Sequence, residues 1–405
     1  MTYQLDYIGE TFSNVSGGMR QGAVYEGRLD FIFDADLQKL AGWTGAAAHF
    51  NVFQIHGKEL SRDYVGNLMP ISNIEALPAT RLYEAWFEQK LFDDKLALRA
   101  GQLAADTEFI TSQYAGLFVN GTFGWPTITA IDLPSGGPAY PLATPGFRVK
   151  YEPSPQQAFL LAVFNGDPAG PGTNDPQERN RYGLNFRVQD PPFVIGEAQL
   201  KYNHDKNAKG LPGTVKVGAW THFGDFDDLR VGANGLPLAD PLSNGEPLQR
   251  RYNFGIYGVI DQQLYALPGG NADKGIGLFA RVSASPSDRN LIDLYVDAGL
   301  NFNGMIAARP DDAFGVAFAF ARISDAARGF DQDRVLFSGV TTPIRDYEAA
   351  LELTYQAQIV PGWTVQPNLQ YIFHPGGNII NPLGPADTTA MRNALVVGAR
   401  TTIKY

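Results

Sequence analysis

The sequence predicts an all-β chain closed into a transmembrane antiparallel β-barrel of sixteen strands, with long extracellular loops at one rim, one of them folded into the lumen. Three observations carry that prediction. Apolar and polar residues alternate with a period of two in segment after segment, as in strands with one oily and one wet face. The connectors fall into a short, turn-like set and a long, polar set, the layout of a barrel with two unequal rims. No stretch of about 20 apolar residues exists, which excludes a membrane-spanning helix.

Taken in order, the segment 2–13 alternates weakly, and "DADLQKLAGW" (34–43) has room for one short helical turn. In "RLYEAWFEQK" (81–90) the alternation puts Tyr83, Ala85 and Phe87 outward and Glu84, Trp86 and Glu88 inward. In the following strand Leu96, Leu98 and Ala100 face out, so Arg99 faces in. "PGFRVKYE" (145–152) sets Phe147, Val149 and Tyr151 against Arg148, Lys150 and Glu152. "RYGLNFRVQ" (181–189) sets Tyr182, Leu184, Phe186 and Val188 against Asn185, Arg187 and Gln189, and 193–203 alternates again. "YEAALELTYQAQI" (347–359), "WTVQPNLQYIFH" (363–374) and "ALVVGARTTIKY" (394–405) are the clearest cases. About seventeen segments alternate in all, but a barrel with both termini at one rim needs an even number. One is therefore a misreading, with 2–13 and 193–203 the candidates.

The apolar parity carries Tyr347, Tyr355, Trp363, Phe373 and Tyr405, rings suited to the two membrane interfaces. The polar parity carries Glu84, Arg99, Arg148, Lys150, Arg187, Glu197, Lys201, Asp293, Asp297, Glu348, Glu352, Arg400 and Lys404. Charges facing one another across a lumen fit a lumen that holds water, so the oily face is read as lipid-facing. Leu351, Leu353, Leu395 and Val397 then face lipid, and Glu352, Gln356 and Arg400 face water. The opposite orientation, oily face inward, describes a soluble sandwich or barrel.

Short connectors are expected at "FDD" (92–94), "EPSPQ" (152–156), "DPP" (190–192) and "VPGW" (360–363), and long ones at 57–79, 104–145, 166–179, 224–249, 324–345 and 375–392. No linker or composition shift divides the chain, so residues 1–405 are read as one domain. The 104–145 segment contains Phe109, Tyr114, Phe118, Phe123 and Trp125, too many rings for a disordered loop. Loops this long inside a compact domain are usually functional. It is expected to fold into the lumen and narrow it; the alternative is an external cap.

Composition narrows the function classes. A net charge of −10 argues against nucleic acid as a partner. The 44 Gly and 27 Pro, without long runs of either, indicate many tight turns. With no Cys, thiol catalysis and thiolate metal sites are excluded. The start, "MTYQLDYIGE", lacks the apolar core of a leader peptide, so an exported form is expected to have been trimmed. His49, His56, His204, His222 and His374 are scattered without ligand spacing. No nucleophile elbow, H-E-x-x-H or Walker loop is present, and "GIG" (275–277) is too little for a dinucleotide site. The acidic clusters "DFDD" (225–228) and "DQDR" (331–334) offer oxygen ligands for Ca²⁺, but solvated loop tips explain them as well.

Several stretches together resemble the OprB-type carbohydrate-selective porins of Gram-negative outer membranes. They are "RLYEAWFEQKLFDDKLALRAGQLAADTEF" (81–109), "GLFVNGTFGWP" (116–126), "YPLATPGFRVKYEP" (140–153), "LAVFNGDP" (161–168), "PGTVKVGAW" (212–220), "SPSDRNLIDLYVDAGLNFNG" (285–304), "QPNLQYIFHPGGN" (366–378) and "NALVVGARTTIKY" (393–405). The chain departs from many outer-membrane barrels in ending on Tyr405 rather than Phe. The resemblance implies a sixteen-stranded porin passing glucose and related small sugars, with no cofactor and no covalent chemistry. Its partners would be outer-membrane lipids and permeating sugars; a homo-oligomer such as a trimer is possible, and monomer versus trimer stays open. Two other classes stay open at this point: a barrel enzyme such as a lipase, and a plugged structural or adhesive barrel.

For a sugar channel the residues to name are Glu84, Trp86 and Glu88 on one inward face and Arg99 on the next. Asp106 and Glu108 follow on the long loop, and Arg148 lies on the strand after it. Arg and Glu supply donors and acceptors in fixed geometry for hydroxyls, and Trp supplies a stacking face. A lattice of ion pairs bracing the wall is the alternative role for the same charges.

Overall fold

The computed structural model describes residues 1–205, 208–268, 274–384 and 389–405. Its strands are β1 (Thr2–Ser16), β2 (Gly22–Asp36), β3 (Ala46–Gly57), β4 (Ala79–Leu91), β5 (Leu96–Leu103), β6 (Thr144–Ser154), β7 (Gln157–Phe164) and β8 (Phe193–Tyr202). The second half adds β9 (Gly213–Gly232), β10 (Pro247–Ala266), β11 (Gly275–Ala284), β12 (Ile292–Asn303), β13 (Ala313–Ile323), β14 (Tyr347–Val360), β15 (Trp363–Phe373) and β16 (Ala394–Lys404). Each strand pairs antiparallel with its chain neighbours, and β16 pairs with β1 to close the ring. Closure matters because hydrocarbon offers nothing to an unpaired backbone N–H or C=O.

The alternation has the orientation expected of a membrane barrel. On β14, Leu353 is 45% exposed while Glu352 beside it is fully buried inside. Phe318, Val217, Ile256 and Val397 likewise stand on the exposed outer surface. Both termini lie at the rim of short turns, where Tyr405 N donates to Leu5 O (3.0 Å). Residues 92–95, 155–156 and 361–362 are tight turns at that rim, and the expected helical turn is α1 (Leu37–Ala41). The opposite rim carries the connections 58–78, 104–143, 165–192, 324–346 and 374–393; of the last, residues 385–388 lie outside the described residues.

Several expectations need correction. Both 2–13 and 193–203 are strands, as β1 and β8. The misread segment is 181–189, which is extended but belongs to no strand. It runs beside the upper part of β4, where β5, eight residues long, no longer supplies a neighbour. Leu82 N donates to Tyr182 O (3.0 Å) and Gln102 Nε2 to Gly183 O (2.9 Å), leaving Tyr182, Leu184, Phe186 and Val188 exposed. Arg187 thus lines no lumen; it pairs with Asp190 (2.6 Å). "DPP" (190–192) belongs to the long rim, just ahead of β8. Both ends of 224–249 are strand and only 233–246 is a connection, because β9 and β10 are 20 residues each and rise as a tall hairpin.

Tyr83 faces in, not out. The β3–β4 register shifts between Asn51 and Val52, which pair with Glu84 and Leu82, so Tyr83 is an extra residue in a β-bulge. Tyr83 and Glu84 then both point inward, and Tyr83 stacks on Phe53 with ring centres 4.6 Å apart.

The lumen is not simply water. Along β11–β15 the inward side chains are Phe279, Tyr295, Ala317, Ala319, Ala321, Ala350 and Ile372, all buried. Against them pack Met69 and Ile71 from the 58–78 loop and Phe118, Val119, Phe123 and Ile128 from the 104–143 loop. Small residues on β13 let the loops approach closely, and the core they share sits inside the barrel against one wall.

Candidate functional site

The two loops are held by charges that the wall aims at their backbone. Glu352 on β14 accepts from Val119 N (2.7 Å) and Asn120 N (2.9 Å). Glu348, two inward positions earlier, accepts from Leu68 N, Met69 N and Gly376 N at 2.7–2.9 Å. Arg281 on β11, buried and paired to Asp297 (2.5 Å), donates to the carbonyls of Ile110, Thr122 and Gly124 at 3.0–3.1 Å. Charge-assisted bonds of this kind are about twice as strong as neutral ones, and they compensate here for taking these groups out of water. Glu348, Glu352 and Asp297 therefore face inward as the alternation requires, but the two glutamates meet loop backbone and Asp297 meets Arg281 and the Tyr295 hydroxyl rather than water.

With the loops pinned to the far wall, space remains between them and the wall of β16 and β1–β4. A cavity of about 340 Å³ lies there. The wall contributes Arg28, Phe53 and Tyr83, the 58–78 loop Asn73 and Glu75, the 104–143 loop Asp106, Trp125 and Tyr140, and β16 contributes Arg400. The Arg28 guanidinium lies 4.5 Å from the Phe53 ring centre and 5.0 Å from that of Tyr140, and is held in both by Asp30 (2.7 and 2.8 Å). Asp106 accepts from the Tyr83 hydroxyl (2.9 Å) and from Tyr140 N (2.9 Å); burial holds its carboxyl above the usual range. Glu75 accepts from Leu60 N (3.0 Å) and Ser61 N (3.1 Å), and burial pushes it up to about 8. Arg400 reaches Asn73 Oδ1 (2.6 Å) and pairs with Glu10.

The residues named from the sequence gather beside this cavity. Glu88, Arg99 and Arg148 occupy one register row across β4, β5 and β6. Arg99 meets Glu88 (2.9 Å) and Glu108 (3.4 Å), and Arg148 meets both as well (2.7 Å each). Trp86 lies under Arg99, with 3.7 Å from guanidinium carbon to ring centre, and stacks on His49 (4.7 Å). Glu84 is turned to the loop, accepting from Ala104 N (3.1 Å). Of the seven, Asp106 lines the cavity itself. Arg28, Phe53, Asn73, Glu75, Tyr140 and Arg400 complete it and were not named as site residues. Arg28 and Asp30 share the polar parity of β2 with Glu26, a signal available in "YEGRLDFIF" (25–33).

The acidic clusters are spent on arginines. Asp228 pairs with Arg250 (2.7 Å), Asp333 with Arg230 (2.7 Å) and Asp331 with Arg345 (2.8 Å). These pairs tie the helix Asp325–Ser338 and the tall hairpin into the long-loop rim.

A closed sixteen-stranded membrane barrel, narrowed by loops folded into it, defines the class: an outer-membrane porin. The family model for the carbohydrate-selective porins, the OprB family, matches residues 20–405, and the chain belongs to that family. It is 25% identical to Porin B of Pseudomonas aeruginosa over 98% of this chain and 86% of that protein. It is 24% identical to a putative porin, QuiX, of Acinetobacter baylyi over 91% and 83%. Among solved structures, the high-pH structure of Pseudomonas putida OprB superposes with a TM-score of 0.85 at 25% identity, covering 100% of this chain and 94% of that one. The chain is a carbohydrate porin of the Gram-negative outer membrane.

Proposed function

We propose that small neutral sugars of glucose type diffuse through the cavity between the two infolded loops and β1–β6. The observation that carries this is the pairing of hydrogen-bonding groups with ring faces: Arg28, Asn73, Glu75, Asp106 and Arg400 stand beside Phe53, Tyr83, Trp125 and Tyr140. A sugar has hydroxyls around its edge and C–H groups on its faces, and needs both kinds of partner. Binding must be weak, since a channel has to release what it holds. Glu84, Trp86, Glu88, Arg99, Glu108 and Arg148 form the neighbouring wall of the passage and set its width and field, with Asp106 joining the two groups.

Reading the channel as passive, without catalysis, rests on family membership. Assembly as a homotrimer through the low wall of β5–β8 is supported by the exposed apolar row of 181–189. Light scattering in detergent tests it: a trimer mass is expected, and a single-chain mass overturns it. The permeation reading is tested with Arg28→Ala, Arg99→Ala and Trp86→Ala in planar bilayers. Arg28→Ala and Arg99→Ala are expected to change ion selectivity and weaken block by glucose while the barrel still folds. Wild-type selectivity and glucose block in all the variants would move the sugar path elsewhere.

A further inference from the structure

A second polar chamber, of about 420 Å³, lies on the short-turn side of the 104–143 loop. It shares no lining residue with the constriction cavity. Its wall comes from β6, β8, β9 and β10. Lys201 and Gln199 sit near the lower end of β8, Thr214 and Lys216 at the start of β9, and Lys150 on β6. The cross-strand register places Gln199 opposite Lys216 and Lys201 opposite Thr214.

The chamber has donors to spare and few acceptors. Glu108 gives its oxygens to Arg148 (2.7 and 2.8 Å). Asp261 accepts from Ser112 Oγ (2.5 Å) and Gln113 N (3.2 Å). Glu197, close by on β8, accepts from Ile110 N (2.8 Å), the Tyr257 hydroxyl (2.9 Å) and Gln199 (2.7 Å). Against these committed carboxylates stand three ammonium groups with N–H bonds left over. Lys216 uses two, on Thr111 O (2.7 Å) and Thr111 Oγ1 (2.8 Å), both neutral oxygens. Lys150 pairs with Glu152 (3.0 Å), and Lys201 makes no ion pair among the described residues. Lys201 and Lys216 thus face the chamber without an ion pair among the described residues, in a chain of net charge −10.

We infer that this chamber is an anion subsite in series with the constriction, and that it takes the carboxylate of an acidic sugar. The inference rests on the reading of the passage as a sugar path. Lys201 and Lys216 hold the carboxylate, while Thr214 and Gln199 meet the hydroxyls. A sugar acid released from the constriction then has a second resting place near the exit, which a neutral sugar lacks. The lysine charge also biases the lower lumen toward anions, and that bias weakens as salt shortens the reach of the field.

The test uses glucuronate and glucose as probes on the intact porin in planar bilayers at low salt, each added from the short-turn side. Glucuronate is expected to interrupt the current at about tenfold lower concentration than glucose, the ratio of a charge-assisted to a neutral contact. Lys201→Gln should abolish that difference and leave glucose block unchanged; Lys201→Arg should keep it. Equal block by the two sugars in the unmodified porin overturns the subsite and spares the sugar path. Undiminished glucuronate preference in Lys201→Gln also overturns it. Block by neither, in a channel that conducts, sinks the sugar path and the subsite together. Because the first comparison uses the unmodified chain, the outcome does not depend on any variant folding.

Discussion

Glu75 is the residue through which pH should reach the channel. Its carboxyl lines the cavity proposed as the sugar path, and burial raises it to about 8. Glu59, on the same loop, is raised by burial to about 7. Both are neutral below these values and negative above, so cation preference should increase as pH rises from about 6 to about 9. The reversal potential in a salt gradient measures this, and Glu75→Gln should flatten most of the change. A Glu75→Gln channel with the full wild-type pH response would assign the effect to another group. The stability sign is also fixed. The folded chain holds this proton more tightly than an unfolded carboxyl, which titrates near about 4.3. The stabilisation is therefore present at low pH and is lost as pH climbs through the window from about 4 to about 8. At the same scale, Phe118→Ala removes a fully buried ring from the core shared by loop and wall, and about 3–5 kcal/mol of stability should go with it. A midpoint shift in urea measures that loss; an unchanged midpoint would mean that the loop core contributes nothing to folding. Residue-level roles were the least legible part of the sequence. Alternation told which way Glu348 and Glu352 point, but not that a loop backbone waits there. Parity failed outright at Tyr83, because a bulge inserts one residue and leaves no mark in a period-two pattern.

At the scale of elements, strands and turns were readable and loop destinations were not. A strand is specified by its own residues, through burial of one face, whereas a loop's resting place depends on partners hundreds of positions away. The rings at 109–125 showed that the 104–143 loop is ordered; wall groups such as Arg281, Glu352, Glu197 and Asp261 show where it is held. The segment 181–189 alternates in sequence as a strand does, yet apart from Gly183 and Arg187 its residues are exposed and it joins no strand. Arg281→Met should cut the bonds to Ile110, Thr122 and Gly124 and leave Asp297 unpaired. The loop should loosen, and single-channel conductance should rise and become noisy while the barrel still closes. Conductance and noise equal to wild type would show the loop to be held without that arginine. β16 is different in kind, since it closes the ring against β1. Deleting 393–405 should abolish assembly, read as loss of the heat-modifiable band on gels; a folded, heat-modifiable product would show the strand to be dispensable.

On the scale of the whole molecule, the barrel is asymmetric inside. One wall, β11–β15, is a buried core shared with the infolded loops; the other, β1–β6, carries the cavity's wall and the charged lattice beside it. The charged lattice of Glu88, Arg99, Glu108 and Arg148 and the ring-flanked Arg28 both belong to the open side. This asymmetry is directly measurable, because the chain contains no cysteine. Single cysteines are placed at Asn73, on the passage, and at Ala317, behind the loops, and each channel is exposed to a charged thiol-reactive methanethiosulfonate while its current is recorded. The account predicts rapid modification with a drop in conductance at Asn73→Cys and no change at Ala317→Cys; rapid modification at Ala317→Cys with none at Asn73→Cys would contradict it.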